Sequence, residues 1–284
     1  MHTNPLFSVL IANYNNGKYL EDALLSIFQQ TYENWEIIIV DDASTDDSKE
    51  VYKRHKNNPK IKLYFNEQNM GCGYTKKRCI ELASGEICGF LDPDDILDKE
   101  ALILMVEEHS NKPSCSLIYS TLYLCDEQLN ITQQSTYQVQ VPENSSFLEM
   151  KAGQVSQFAT FKRSLYCQTE GINPKFKRAV DQDLYYKLEE VGRLFYLDKP
   201  LYYYRVNQGG ISSFKNANKA FAWSLLARIN ACDRRGLDIE KILPNVIESE
   251  QSVRAFYETS LDYKLGRFLL KPVRFIKTLL GFYN

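Results

Sequence analysis

Residues 86–97 read EICGFLDPDDIL, an apolar run of strand length that ends in three closely spaced carboxylates. Asp92, Asp94 and Asp95 are separated only by Pro93. Like charges this close repel one another, so in a desolvated cleft either one of them protonates or a cation sits between them. Mg²⁺ and Mn²⁺ prefer one or two carboxylates together with substrate phosphate oxygens. The stretch therefore predicts a strand that ends at a metal and phosphate site, with helix capping by the acids as the plainer alternative.

This strand belongs to an alternation of apolar runs and amphipathic segments in the first hundred residues. Uninterrupted apolar strands that alternate with helices indicate an α/β fold with a mostly parallel sheet covered on both faces. Ser44 or Thr45 is expected to cap the second helix, and Gly85 to end the third. The predicted strands are 7–12, 35–42, 61–65 and 86–91, and the helices lie within 18–30, 44–55, 71–85 and 98–109.

Carboxylates end two of these strands, at the edge where such sheets bind ligands. Asp41 and Asp42 end the second strand, and Asp92 to Asp95 follow the fourth. A turn with a helix cap is the plainer explanation of Asp41 and Asp42. Two acidic strand ends on one rim are hard to stabilise without a cation or a ligand that donates hydrogen bonds. We therefore expect these acids to converge on one ligand site.

The second half of the chain changes pattern at about Cys115, with two short aromatic strands, SLIYS and TLYL. A later predicted helix carries Asp181 and Asp183 near its start, on different faces because of their spacing. The helix dipole alone would favour an acid there. The predicted organisation is two halves of one domain, 1–114 and 115–215, followed by a helical region, 216–284.

Composition excludes several classes of protein. The formal net charge of −2 gives no overall attraction to nucleic acid. The seven cysteines are odd in number and form no C-x-x-C pair, so neither a disulfide framework nor a zinc site is predicted. No apolar run is long enough for a membrane span or a signal peptide. We expect a cytoplasmic protein, or a peripheral one on the cytoplasmic face of the inner membrane. His55 and His109 are expected to face solvent.

A glycine pair and a basic run form another candidate site. Gly71-Cys72-Gly73 is followed by Lys76-Lys77-Arg78 but lacks the full dinucleotide or P-loop pattern. A loop, a helix N-terminus and nearby lysines still suit an anionic ligand. Ordinary charge patterning of a helix surface explains the run equally well.

Taken in order, the motifs resemble the family 2 inverting glycosyltransferases of the GT-A fold. The resemblance covers about residues 7–213 and implies a Rossmann-like sheet with helices on both faces. It implies metal-dependent transfer of a single sugar from a nucleotide diphosphate donor, expected to be UDP-linked, to a hydroxyl of a glycan or lipid-linked glycan. The absence of a Q-x-x-R-W motif favours the non-processive bacterial type. The motifs are VLIANYNNGKYLEDALLSIFQQTYENWEIIIVDDASTD, NMGCGYTKK, ASGEICGFLDPDD, VDQDLYYKL and PLYYYRVN.

The resemblance also implies site residues. Asp94 corresponds to the ligand of the divalent cation, Mn²⁺ or Mg²⁺, and Asp181 to the catalytic base. Lys76 stands where the family often has arginine, which places it near the diphosphate. The residues implied for the nucleotide sugar are Ala12, Tyr14, Asp42, Lys76 and Asp92, and supporting roles are expected for Asp41, Asp95, Asp183 and Arg205.

Two other functions compete with this interpretation. A sugar nucleotidyltransferase shares the sheet and the acidic rim, but it normally carries a glycine-rich basic loop after the first strand, where this chain has ANYNNGKY. A catalytically inactive glycan-binding module is the second alternative. The presence of Asp42, Asp94 and Asp181 disfavours it.

The final stretch, 262–284, combines basic and apolar residues at helical intervals and contains no acid after Asp262. A basic amphipathic helix is typical of a membrane-surface element and would suit a lipid-linked acceptor. A helix that packs on the protein's own core is the alternative, and Pro272 interrupts the segment.

Overall fold

The computed structural model describes residues 4–206 and 216–242. Strands lie at β1 (Phe7–Asn13), β2 (Trp35–Asp41), β3 (Ile61–Phe65), β4 (Ile87–Phe90), β5 (Ile96–Leu97), β6 (Cys115–Cys125), β7 (Ile131–Gln134), β8 (Ala159–Lys162) and β9 (Arg193–Arg205). Helices lie at α1 (Gly17–Phe28), α2 (Ser48–His55), α3 (Cys72–Leu82), α4 (Ala101–Asn111), α5 (Arg163–Tyr166), α6 (Val180–Glu189) and α7 (Ala217–Arg234), with a 3₁₀ turn at Phe147–Glu149.

The described strands form one sheet in the order β3-β2-β1-β4-β8-β6-β9-β5, with β7 paired to β6. Strands β1, β2, β3, β4, β6 and β9 run in one direction, whereas β5, β7 and β8 run in the other. The predicted α/β fold with a mostly parallel sheet is therefore confirmed. The β1–β2 register, which ends with Asn13 opposite Asp41, brings the carboxyl ends of these strands to one edge.

Helices cover both faces of the central strands, which explains why most residues of these strands are apolar. Val9, Ile11 and Ile39 belong to a core cluster that includes residues of α1, α2 and α4. Helix α3 lies against β1 and β2 on the other face, where Leu10 and Ile38 are fully buried. A strand buried on both faces has no position for an exposed polar side chain.

Three local predictions were wrong. Helix α2 begins at Ser48, so neither Ser44 nor Thr45 is its cap. The Ser44 hydroxyl instead accepts a hydrogen bond from the Asn15 amide at 2.9 Å. Helix α3 ends at Leu82, and Gly85 has a different role: a Cβ there would lie 2.7 Å from the Leu6 carbonyl oxygen. SLIYS and TLYL form one continuous strand, β6.

The C-terminal part is described only to residue 242. The chain divides into two units after Leu237, and all residues of the cavity and of its supporting contacts belong to the first. Helix α7 is attached to the 3₁₀ turn through buried Arg228, whose Nε donates to the Leu148 carbonyl at 3.1 Å. The basic stretch 262–284 lies outside the described residues, and the domain boundaries remain predictions. No helix within 4–206 and 216–242 is long and apolar enough to cross a membrane.

His109 is buried, contrary to the sequence-based expectation, with 3% of its surface exposed. The Thr160 hydroxyl donates to the Ile118 carbonyl, so its oxygen accepts from His109 Nε2 at 3.0 Å. Nδ1 has no hydrogen-bond partner among the described residues. Burial, together with the nearby Lys162 ammonium, lowers the pKa of His109 to about 3.

His109 should make the fold sensitive to acid. Between about pH 3 and its ordinary pKa of 6.5, the folded state binds fewer protons here than the unfolded state. The free energy of unfolding should therefore fall by about 1.4 kcal/mol for each pH unit below 6.5 from this residue alone. Urea denaturation of wild type and His109→Gln between pH 4.5 and 7 measures this term. An equally steep pH dependence in the variant would contradict the assignment.

Candidate active site

A cavity of about 1490 Å³ opens at the edge of the sheet where β1, β2 and β4 end. Residues that are far apart in the sequence line it together. The acids expected on one rim therefore converge, except for Asp41. The predicted site residues that line the cavity are Ala12, Tyr14, Asp42, Lys76, Asp92, Asp94, Asp95 and Asp181.

Asp42 fixes the loop that leads into α3. Its Oδ1 accepts from Asn66 Nδ2 at 2.6 Å and from the Met70 amide at 2.8 Å, and its Oδ2 accepts from the Gly71 amide at 2.8 Å. A carboxylate offers about four acceptor positions, so one remains on Oδ2. Asp42 therefore shapes the cavity wall and can still accept a hydrogen bond from a ligand.

Asp41 points away from the cavity and supports the strand ends instead. Its Oδ2 accepts from Asn13 Nδ2 at 3.1 Å and from the Tyr52 hydroxyl at 2.7 Å, and its Oδ1 accepts from the Ser44 amide. Burial and this hydrogen bond to Asp41 raise the pKa of Tyr52. Asp41 is thus part of a buried polar network beneath the site.

The Asp-Pro-Asp-Asp loop places its three carboxylates in different environments. Asp95 is buried and accepts from the Arg205 amide at 2.7 Å. Burial, followed by the repulsion of Asp94 and Asp92, raises the pKa of Asp95 well above its ordinary value. Asp92 and Asp94 are only partly buried and line the cavity. One acid of the crowded group is therefore driven towards its neutral form, while the other two face the cavity.

Arg205, at the end of β9, fixes this loop without lining the cavity. Its Nε donates to the Asp94 carbonyl at 2.7 Å, and its Nη2 donates to Asp22 Oδ2 at 2.9 Å. Its guanidinium lies over the Tyr19 ring at 4.5 Å and also donates to the Glu127 carbonyl. Arg205 thereby connects the backbone at Asp94 to α1 and β9.

Lys76 connects α3, which carries it, to Asp181 on α6. Its Nζ donates to both carboxylate oxygens of Asp181, at 2.8 and 3.0 Å, and lies 3.3 Å from Asp92 Oδ1. Burial alone would lower the pKa of Lys76, but Asp181 and Asp92 raise it well above its ordinary value. A buried cation thus separates two carboxylates that face the cavity.

Asp183 lies on the opposite face of α6, as the spacing predicted. Its Oδ2 accepts from Lys187 Nζ at 2.7 Å, and both side chains are buried. Burial raises the pKa of Asp183, although Lys187 opposes this change. Asp183 therefore belongs to the interior and does not line the cavity.

The metal prediction depends on Asp94. Within the described residues, no group of three or more His, Cys, Asp or Glu side chains could hold a metal ion. The Asp94 carboxylate lines the cavity on a loop that Arg205 holds through the Asp94 carbonyl. Mg²⁺ in phosphate-binding sites is held by one or two carboxylates plus phosphate oxygens and water. Asp94 fits this kind of site, in which the substrate completes the coordination.

The far wall of the cavity was missed by sequence reasoning. Lys177 and Arg178 line it from the segment before α6, and Lys219 and Trp223 line it from α7. Ala179 has a positive φ of 52° and turns the chain into α6. The basic pair next to Asp181 could have been noticed from the sequence, whereas nothing in the local pattern of α7 indicates that it reaches the site.

A comparison with protein families agrees with the site and the fold. The model of the family "Glycosyl transferase family 2" matches residues 8–169. The chain belongs to glycosyltransferase family 2. A chondroitin synthase of Escherichia coli is 32% identical over 212 residues, which are 74% of this chain and 30% of that protein. The chain spans less than a third of the length of the first curated relatives it matches.

Solved structures with the same fold include two with bound nucleotide sugars. TarS of S. aureus in complex with UDP-GlcNAc has a TM-score of 0.64 at 24% identity, over 78% of this chain and 65% of that one. The mannosyltransferase PcManGT of Pyrobaculum calidifontis, with GDP-Man and Mn²⁺, has a TM-score of 0.57 at 18% identity, over 98% and 84%. At these identities the likeness establishes the GT-A fold of this glycosyltransferase family member.

Removal of the Asp42 carboxylate should loosen the cavity wall. Asp42→Ala leaves the Met70 and Gly71 amides without their acceptor, so we expect the free energy of unfolding to fall by about 1–3 kcal/mol. Urea denaturation measures the change. Asp47→Ala is the control, because Asp47 is exposed and its side chain makes no capping hydrogen bond. Equal stability of the two variants would contradict the role of Asp42.

Proposed function

We propose that this protein transfers a single sugar from a nucleotide diphosphate sugar, with UDP as the nucleotide, to a hydroxyl group of a glycan or lipid-linked glycan, with inversion at the anomeric carbon. The observation that carries the proposal is that Asp42, Asp94 and Asp181, from three separate parts of the chain, line one cavity. The cavity, about 1490 Å³, has room for a donor and an acceptor together.

The nucleotide lies against the ends of β1 and β2 in this proposal. The acceptor position left on Asp42 Oδ2 suits the imide N–H of uracil, with Ala12 and Tyr14 beside it. Asp92 is then close to the ribose. The complex of TarS with UDP-GlcNAc supports a UDP-linked donor, because the two proteins share the fold.

The divalent cation is held by Asp94 in this proposal. When bound, it supplies positive charge that stabilises the departing diphosphate. The Mn²⁺ in the PcManGT complex supports such a cation. The chain's own contribution is the orientation of Asp94, which Arg205 provides through the Asp94 carbonyl.

Asp181 acts as the general base. It takes the proton from the acceptor hydroxyl while the hydroxyl oxygen forms a bond to the anomeric carbon. The bond from that carbon to the diphosphate oxygen breaks on the opposite side, and the nucleoside diphosphate leaves with the electron pair. A single displacement of this kind inverts the anomeric configuration.

Asp181→Asn should abolish transfer while leaving donor binding close to that of wild type. The amide has nearly the shape of the carboxylate but cannot accept the proton, so we expect a loss of about 10²-fold or more in kcat. UDP release from a UDP-sugar measures turnover, and calorimetry with UDP and Mn²⁺ measures binding.

Asp183→Asn is the matched control on the same helix. It breaks the buried pair with Lys187, so it should lower the free energy of unfolding by about 3–5 kcal/mol while the protein that remains folded stays active. Persistent turnover in Asp181→Asn would show that Asp181 is not the base.

Asp94→Ala should remove the effect of the cation on donor binding. In wild type, a panel of nucleotide sugars should raise the melting temperature more with Mn²⁺ than with EDTA, because ligands that bind the folded state stabilise it by mass action. The variant should show the same small shift in both. A Mn²⁺-dependent shift that survives in Asp94→Ala would contradict the metal assignment.

Two observations support the acceptor class in this proposal: the relatives and the charge pattern of the stretch 262–284. The relatives include chondroitin and hyaluronan synthases and a teichuronic acid biosynthesis glycosyltransferase, which supports a cell-surface polysaccharide. The basic stretch 262–284 supports contact with an anionic membrane surface and a lipid-linked acceptor.

A chain that ends at residue 262 should bind anionic vesicles less than the full chain, and equal binding would contradict the role of this basic stretch.

A further inference from the structure

The contacts of Lys76 differ from those expected of a diphosphate ligand. Its three nearest oxygens are the two carboxylate oxygens of Asp181 and Oδ1 of Asp92, at 2.8, 3.0 and 3.3 Å from Nζ. An ammonium group has three N–H donors. Both hydrogen bonds of the Lys76 ammonium go to Asp181, and Asp92 makes an ion-pair contact beside them. This arrangement directs Lys76 at the proposed base.

Burial separates the roles of the three side chains. The Lys76 side chain is 5% exposed, whereas those of Asp181 and Asp92 are 31% and 35% exposed. The ammonium lies 4.8 Å from the centroid of the Phe90 ring. The carboxylates are therefore the parts that reach the cavity, and the cation supports them from below.

The backbone that carries Lys76 is fixed relative to α6. The start of α3 is held by the hydrogen bond that the Gly71 amide donates to Asp42 Oδ2. The Gly73 amide donates to the Phe176 carbonyl at 3.0 Å, and a Cβ on Gly73 would lie 2.5 Å from that oxygen. Helix α3 thus touches the segment that leads into α6 and Asp181. Lys76 and Asp181 are held at a defined distance by main-chain contacts.

We propose that Lys76 is the positioning residue of the base: it orients the Asp181 carboxylate towards the acceptor, and it does so without binding the diphosphate. This inference rests on the proposed function. Without the two hydrogen bonds from Lys76, the Asp181 carboxylate loses the contacts that fix its orientation. Removal of Lys76 should therefore lower turnover but not the affinity for UDP.

The test compares Lys76→Met and Lys76→Arg with the control Lys77→Met in the full chain. Lys77 is the adjacent lysine, and it pairs on the helix surface with Glu81. Two quantities are measured: the kcat of UDP release, at pH 7 with Mn²⁺, from the UDP-sugar that wild type hydrolyses fastest, and the Kd of UDP by calorimetry.

We expect Lys76→Met to lose about 10–100-fold in kcat at pH 7, because the base is no longer held in its orientation. Its Kd for UDP should stay within about twofold of wild type, which also shows that the variant folds. Lys76→Arg should recover most of the loss because it retains the charge. Lys77→Met should match wild type in both quantities.

A different pattern would overturn the inference and leave the proposed function standing. This pattern is a rise of about tenfold or more in the Kd of UDP in Lys76→Met and Lys76→Arg, with kcat close to that of wild type. It would make Lys76 a ligand of the diphosphate. If wild type released UDP from no donor in the panel, the proposed function would fail, and the inference with it.

Discussion

Repulsion between carboxylates at one edge of the sheet is the constraint to which the rest of the site responds. The parallel register of β1, β2 and β4 brings the acids that end or follow β2 and β4 to a single rim. Unpaired buried charges would be costly there. Each acid is therefore stabilised differently, by amide donors at Asp42, by a raised pKa at Asp95, and by a buried ammonium between Asp92 and Asp181.

These local solutions also connect the site to the scaffold. Asp42 holds the loop before α3, α3 carries Lys76, and Lys76 holds Asp181 on α6. Arg205 makes a second connection, from β9 and α1 to the carbonyl of Asp94. The proposed base and the proposed metal ligand are therefore positioned by separate sets of contacts. Such rigid support is what keeps catalytic groups in a productive geometry.

The sequence pattern was informative wherever one physical cause dominated. Apolar strands predicted the sheet because a strand covered on both faces has no place for exposed polar side chains. The Asp181–Asp183 spacing predicted two faces of α6 because helical geometry is fixed. It failed where tertiary contacts compete with local rules. Ser44 accepts a hydrogen bond from the Asn15 amide, Gly85 lies close to the Leu6 carbonyl, and His109 is buried beside Thr160.

The sequence by itself determined the α/β class, the order of the strands and helices in the first half, and the set of acids at the strand ends, because these depend on residue type and short-range spacing. Only the tertiary structure decided which acid faces a ligand and which is structural, as Asp41 and Asp42 illustrate although they are adjacent. The same holds for Lys76, whose partners lie 16 and 105 positions away along the chain. Hydrogen bonds and burial between distant segments assign these roles, and they exist only once the chain has folded.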